Sequence, residues 1–212
     1  MDVLNFDYVW SLLNADNVAE LSATLTTSFV LIVAAEMGDK SQLVCMALAT
    51  KHKPMPVLLG AVMAFVVLNT LAVVFGVAIA HWLPEYVIAG TVAVLFSVFG
   101  VHSLRIQESN EDEAIEEKSN HGIFLTTFLL ITVAEFGDKT QLAVVALSST
   151  SAPNAVWLGA TIALFFTSAL GVLAGRTVLQ RLPLHFLHRI SGSIFLVLAG
   201  FAAYRAYTSY LP

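Results

Sequence analysis

Long apolar stretches separated by short polar punctuation dominate the chain. Six runs, with approximate limits Leu21 to Ala49, Pro56 to Trp82, Tyr86 to Leu104, Gly122 to Leu147, Pro153 to Leu179 and His185 to Ala206, stand out. Each reaches the roughly 20 residues that a helix rising 1.5 Å per residue needs to cross a hydrocarbon core. The pattern predicts an all-α integral membrane protein with six transmembrane helices. Composition points the same way. Of the 212 residues, 58% are hydrophobic and 12% charged, with a mean hydropathy of +0.81. Soluble domains carry about 25% charged residues.

Charge and cysteine content exclude several function classes. Ten Lys and Arg against fifteen Asp and Glu give a net charge of -5, so the concentrated basic surface that nucleic acid requires is missing. The one cysteine, Cys45, cannot form an internal disulfide or a cysteine zinc site, and reads as a small buried hydrophobe. Residues 1–20 hold Asp2, Asp7, Asp16 and Glu20 but no Lys or Arg, unlike the positive start of a cleavable signal peptide. Phe6, Tyr8 and Trp10 suit a membrane interface. Basic residues favour cytoplasmic loops. Placing both termini outside gathers Lys51, Lys53, Arg105, Lys118, Arg176, Arg181 and Arg189 inside and leaves Arg205 outside.

Lys40 and Lys139 lie inside apolar runs, and they belong to an internal repeat. The segment Thr27 to Leu43 aligns without gaps on Thr126 to Leu142, an offset of 99 residues from Glu36 to Glu135. The same offset carries Gly60 onto Gly159, Gly76 onto Gly175 and Pro84 onto Pro183. Each copy holds three spans, and an odd number forces the second copy to enter the membrane from the opposite side. The expected architecture is therefore two inverted three-helix repeats, an arrangement of secondary transporters with a midplane site. It divides the chain into an interfacial segment 1–20, a first repeat 21–104, an acidic cytoplasmic linker 105–121, a second repeat 122–206 and a tail 207–212. The linker, with Glu108, Glu111, Asp112, Glu113, Glu116 and Glu117, reads as a solvated connection of like charges.

Chemistry must come from the ionisable groups within the spans: Glu36, Asp39, Lys40, Glu135, Asp138 and Lys139. At roughly 3 kcal/mol each, six unpaired charges would oppose insertion by about 18 kcal/mol, which marks them as a site. On one continuous helix Asp39 and Lys40 fall at about 300° and 40° from Glu36, so each triad is expected on one face. Gln42 and Gln141 can add amide oxygens, and Ser41 and Thr140 hydroxyls. Two such faces meeting would gather four carboxylates, an oxygen-rich site suited to hard divalent cations such as Ca2+ or Mn2+ rather than zinc or copper. Gly38 and Gly137 allow close helix approach or local unwinding that frees backbone carbonyls. Four carboxylates and two ammonium groups sum to -2, which one divalent cation or two protons would neutralise, and this suggests exchange.

Competing readings use the same residues. A structural one pairs Glu36 with Lys40 and Glu135 with Lys139 as ion pairs that hold register, but leaves Asp39 and Asp138 unexplained. An intramembrane aspartyl protease would use Asp39 and Asp138, although the adjoining lysines oppose a shared proton. A passive channel is a further alternative. Asn69 and Ser168, paired by the repeat, serve as oxygen ligands near the site or as helix-helix hydrogen bonds. Met37 has Phe136 as its repeat mate and reads as packing; His102, His185 and His188 read as interfacial.

Glu36-Met37-Gly38-Asp39-Lys40-Ser41 and Glu135-Phe136-Gly137-Asp138-Lys139-Thr140 are two copies of E-x-G-D-[KR]-[ST]. With six spans and an acidic central loop, the chain resembles, over nearly its whole length, the Golgi calcium/manganese antiporter family and its bacterial manganese-exporter relatives. The resemblance implies exchange of Mn2+ or Ca2+ for protons, with Glu36, Asp39, Glu135 and Asp138 as ligands. It also implies a transporter and no enzyme, carrying the cation as substrate with no prosthetic group, as a monomer or homodimer. The short linker and the lack of a targeting extension look like a bacterial member. That favours Mn2+ efflux across an inner membrane, with a Ca2+/H+ antiporter as the alternative.

Overall fold

The computed structural model describes residues 15–105, 122–178 and 184–210, and all its regular elements are helices. In chain order they are α1 (Ala15–Glu36), α2 (Lys40–Lys51), α3 (Pro54–Trp82), α4 (Glu85–Arg105), α5 (Ile123–Glu135), α6 (Lys139–Thr150), α7 (Pro153–Val178) and α8 (Leu184–Tyr210). Three are long and apolar enough to cross a membrane over Asn17–Glu36, Pro54–Trp82 and Pro153–Leu173, and Glu85–Val101 and Ile123–Glu135 are shorter apolar helices. The acidic linker beyond Arg105, and the side chains of Lys40, His102, His185 and His188, lie outside the described residues.

Two predicted helices are corrected. The runs Leu21 to Ala49 and Gly122 to Leu147 are not continuous helices: each is broken after its motif glutamate, giving α1 with α2 and α5 with α6. The cause is local. Gly38 and Gly137 adopt φ of +83° and +79°, and no other described residue has positive φ. A left-handed residue cannot continue a right-handed helix, and glycine reaches that region without the steric cost of a Cβ. The expectation that Glu36, Asp39 and Lys40 share one helical face falls with the continuous helix. The same unwinding, foreseen as an alternative, is what the chain does.

Proline sets other boundaries. Pro54 begins α3 in its first turn, where a missing N–H costs no intrahelical bond. Pro153 does the same for α7. Leu83 follows α3 in extended conformation and Pro84 closes the helix, so α4 starts at Glu85.

Packing interleaves the two halves. The long helix α7 lies along α1 and α2, and α3 lies along α5 and α6. Two glycines let these backbones meet. A Cβ on Gly60 would stand 2.5 Å from the Phe124 carbonyl oxygen and 2.9 Å from Thr127 Cβ. On Gly159 it would stand 2.5 Å from the Leu25 carbonyl oxygen and 2.9 Å from Ser28 Cβ. The four contact residues correspond at the repeat offset. α4 packs chiefly on α8, where the Phe195 ring meets Phe96 and Phe99 edge-on at 5.5 and 5.8 Å.

The molecule buries a set of polar side chains within a largely apolar core and is apolar on its outside. Glu36, Gln42, Asn69, Glu135, Thr140 and Thr167 are buried, while Phe75, Val94, Val133, Leu173, Val197 and Phe201 face outward. Water disfavours so extensive an apolar exterior, so the outer surface suits lipid. The helices serve this setting by satisfying backbone polar groups internally.

Candidate functional site

The two motif turns sit at half the depth of the bundle, as their anchors show. In the first turn the Gly38 N–H donates to Gln42 Oε1 at 2.8 Å, and Gln42 Nε2 donates to the Thr167 carbonyl at 3.2 Å. In the second, the Gly137 N–H donates to Gln141 Oε1 at 2.6 Å, and Gln141 Nε2 donates to the Leu68 carbonyl at 3.4 Å. Leu68 is the central residue of α3, about 21 Å of helix from either end. Each glutamine thus staples its own turn to the long helix of the other half. Their amide oxygens already accept one hydrogen bond, leaving the second lone pair for a ligand.

Four helix ends converge at this level: the C-termini of α1 and α5 and the N-termini of α2 and α6. The first two present carbonyls and the last two present N–H groups, so the broken helices bring partial charges of both signs to mid-depth. The Glu36 carbonyl accepts the Asp39 N–H at 3.0 Å, and the Glu135 carbonyl accepts the Asp138 N–H at 3.2 Å.

The side chains do not repeat this symmetry. Glu36, 1% exposed, accepts the Ser41 hydroxyl on Oε1 and the Thr140 hydroxyl on Oε2, the latter at 2.9 Å from the other half. Glu135 is buried and within electrostatic reach of Glu36, Asp39, Asp138 and Lys139. Lys139 forms an ion pair with Asp39, also across the halves. Asp138 is the N-cap of α6, yet its carboxylate makes no capping bond. The structural reading of Lys139 with Glu135 is therefore corrected: the ammonium group crosses to Asp39. An aspartyl dyad fits poorly as well, since Asp39 carries a cationic partner in place of a shared proton.

Among the described residues, no three His, Cys, Asp or Glu side chains form a ready-made metal cluster. Glu36 is instead satisfied by hydroxyls and Asp39 by Lys139. The oxygens for a hard cation are present, but protein donors engage them.

Asn69 and Ser168 lie in the long helices beside the turns. Asn69 Nδ2 donates to Thr161 Oγ1 at 3.1 Å, linking α3 to α7. Ser168 meets the Cys45 thiol of α2. Neither points to a ligand role in this arrangement. Sequence reasoning missed Thr161, whose repeat mate is Val62, and the carbonyls of Leu68 and Thr167. A backbone acceptor leaves no trace in residue type, so these anchors had no sequence signal.

Comparison with known proteins agrees with the two-part construction. The profile of the family described as "Divalent cation/proton antiporter GDT1" matches residues 24–111 and again 123–210. A Vibrio cholerae protein named "Putative manganese exporter" is 28% identical over 192 residues, covering 89% of this chain and 94% of its own. A GDT1-like protein of Synechocystis sp. is 28% identical over 193 residues, covering 82% and 93%. "GDT1-like protein 3" of Arabidopsis thaliana is 27% identical over 197 residues, covering 81% and 67%. No solved structure matches the chain.

Proposed function

The chain belongs to the divalent cation/proton antiporter GDT1 family, and from that premise we propose that it exports Mn2+ in exchange for protons by alternating access. It spans the bilayer six times as two inverted copies of a three-span unit. Glu36, Asp39, Glu135 and Asp138 hold the cation at mid-depth, with Gln42 and Gln141 adding amide oxygens. Ser41 and Thr140 occupy Glu36, and Lys139 occupies Asp39, between cations. The preference for Mn2+ draws on the name of the Vibrio cholerae relative and on the oxygen donor set.

The observation that carries this reading is the crossing of partners between halves: Thr140 on Glu36 and Lys139 on Asp39. A site shared by two halves is remade whenever they rock against each other, which is what alternating access requires. The inverted arrangement is supported by the placement of helix ends. The start of α1, the start of α4 and the ends of α6 and α8 lie together, with Arg205 donating to Glu85 at 3.0 Å and to the Thr150 carbonyl at 3.3 Å. The placement of the basic residues then favours both termini outside, in what the bacterial relatives suggest is an inner membrane.

Each transport cycle has a simple charge balance. Four carboxylates and two ammonium groups carry -2, which one divalent cation cancels; on its release two protons restore neutrality. The test is Mn2+ and Ca2+ flux into proteoliposomes under an imposed pH gradient, for the intact protein and for Asp39→Asn and Asp138→Asn. Mn2+ flux that follows the gradient and disappears in both variants is expected. Flux of Ca2+ alone would overturn the substrate assignment, and flux of neither ion would overturn the antiporter.

A further inference from the structure

A cavity of about 350 Å³ opens at the end of the bundle where α1 starts and α6 and α8 end. Glu20, Thr24, Thr27 and Ser28 of α1 and Thr150 of α6 form much of its polar wall. Phe96 and Phe201 lie on the apolar side. Ser28 is the lining residue of α1 nearest in sequence to Glu36. It is 1% exposed, and its hydroxyl has no hydrogen-bond partner in the protein. The repeat mate Thr127 differs: its hydroxyl donates to the Ile123 carbonyl at 2.8 Å within its own helix. The cavity wall is largely apolar, with its hydroxyls gathered along α1, and an unpartnered buried hydroxyl at its inner end calls for a polar partner.

The space suits a hydrated ion. At about 30 Å³ per water, 350 Å³ admits about ten waters. A divalent cation with a shell of six oxygens needs roughly 200 Å³ on the same scale. Glu20 at the rim supplies negative charge. Arg205 also lines the cavity, and its guanidinium is engaged by Glu85 and the Thr150 carbonyl.

Two helices lead from the cavity to the carboxylate centre. Ser28 and Glu36 are eight residues apart on α1, about 12 Å of helix. On α6, Leu147 lines the cavity and Thr140 bonds to Glu36. Between those levels stand Leu31, Ile32, Ala143 and Val144, all 0% exposed. On α1 the stripe Thr24, Ser28, Leu31, Ala35 follows the spacing of one helical face and changes from polar to apolar before Glu36.

We propose that this cavity is the aqueous vestibule by which the hydrated divalent cation passes between the carboxylate site and the bundle end where α1 starts, and that Leu31, Ile32 and Val144 are its closed gate. The proposal rests on the antiporter reading. The protein's own chemistry supplies the test, because Cys45 is its only cysteine and Cys45→Val, matching the repeat mate Val144, gives a background for new ones. Thr24→Cys, Ser28→Cys, Leu31→Cys and the outward-facing Val30→Cys are placed singly in vesicles. A charged, membrane-impermeant methanethiosulfonate is added on the α1-start side, and labelling and Mn2+ flux are both read.

Thr24→Cys is expected to label about tenfold or more faster than Leu31→Cys and Val30→Cys, since thiol reactivity needs solvent access; Ser28→Cys, 1% exposed in this conformation, labels as the inner end of the cavity opens, and labelling there should block flux. Thr24→Cys carries the test if Ser28→Cys fails to fold. Absence of charged-reagent labelling at both Thr24→Cys and Ser28→Cys, with a lipophilic maleimide reacting instead, would show a lipid-filled groove and overturn the vestibule. Labelling with undiminished flux would overturn the pathway. Labelling is independent of transport, so absence of flux in the intact protein would refute the antiporter reading and leave the labelling result to be read by itself.

Discussion

Replacing Gly137 with alanine tests whether the broken helix makes the site. Gly137 has φ of +79°, and a Cβ added there would meet nothing within 4 Å. The substitution therefore carries no steric clash, only a backbone cost. An L-residue in the left-handed region costs roughly 1–2 kcal/mol. In a continuous helix, by contrast, alanine is favoured over glycine by about 1 kcal/mol. The balance between the turn and an unbroken α5–α6 helix moves by about 2–3 kcal/mol against the turn, a roughly 30- to 150-fold change in their ratio. Two outcomes follow. If the turn persists, the strain appears as a lower thermal midpoint in detergent; if the helix straightens, the Gln141 staple is lost and Mn2+ flux falls. Gly137→Asn, which tolerates the left-handed region better, should recover part of either loss. Gly137→Ala with both midpoint and flux unchanged would refute the argument.

Three further outcomes are expected. Thr140→Val removes the cross-half donor to Glu36 Oε2 and should cost about 1–3 kcal/mol, seen as a lower thermal midpoint and at least a tenfold loss of flux, while Thr140→Ser retains both. Lys139→Gln removes a cationic partner of Asp39 and should destabilise more than Lys139→Gln with Asp39→Asn; because both side chains are 19–25% exposed, the difference should be about 1–3 kcal/mol, below that of a fully buried pair. A double-mutant cycle in detergent measures it, and equal losses would contradict the pairing. Gly60→Ala and Gly159→Ala each push a Cβ to 2.5 Å from a carbonyl oxygen and should lower stability by about 1–3 kcal/mol, nearly equally, as thermal unfolding would register; a loss at one site only would contradict the equivalence of the halves.

Much of the site was legible in the chain because burying charge is costly. Apolar runs announced helices, three of them long and apolar enough to cross a membrane, and carboxylates inside such runs mark a candidate site. The repeat at 99 residues, Glu36 to Glu135, gave the two-part construction that the family profile matches at 24–111 and 123–210. The breaks at Gly38 and Gly137 were half legible. Glycine permits a left-handed turn, but a lone glycine also serves in helix packing, and hydropathy ran through both motifs without interruption.

Tertiary structure decided who holds whom. Sequence spacing suggested Lys139 with Glu135, four residues apart, yet broken helices do not keep that register, and the ammonium group reaches Asp39 instead. Nor could spacing show that Gln42 and Gln141 bind the Thr167 and Leu68 carbonyls, since a main-chain acceptor is the same for every residue type. Asymmetry was decided there as well. Two nearly identical motifs predict equivalent surroundings, but one pair of hydroxyls, Ser41 and Thr140, serves one carboxylate, and here both are on Glu36. A repeated sequence determines which groups compete at the interface. Only the packing of the two halves determines which partner each one takes.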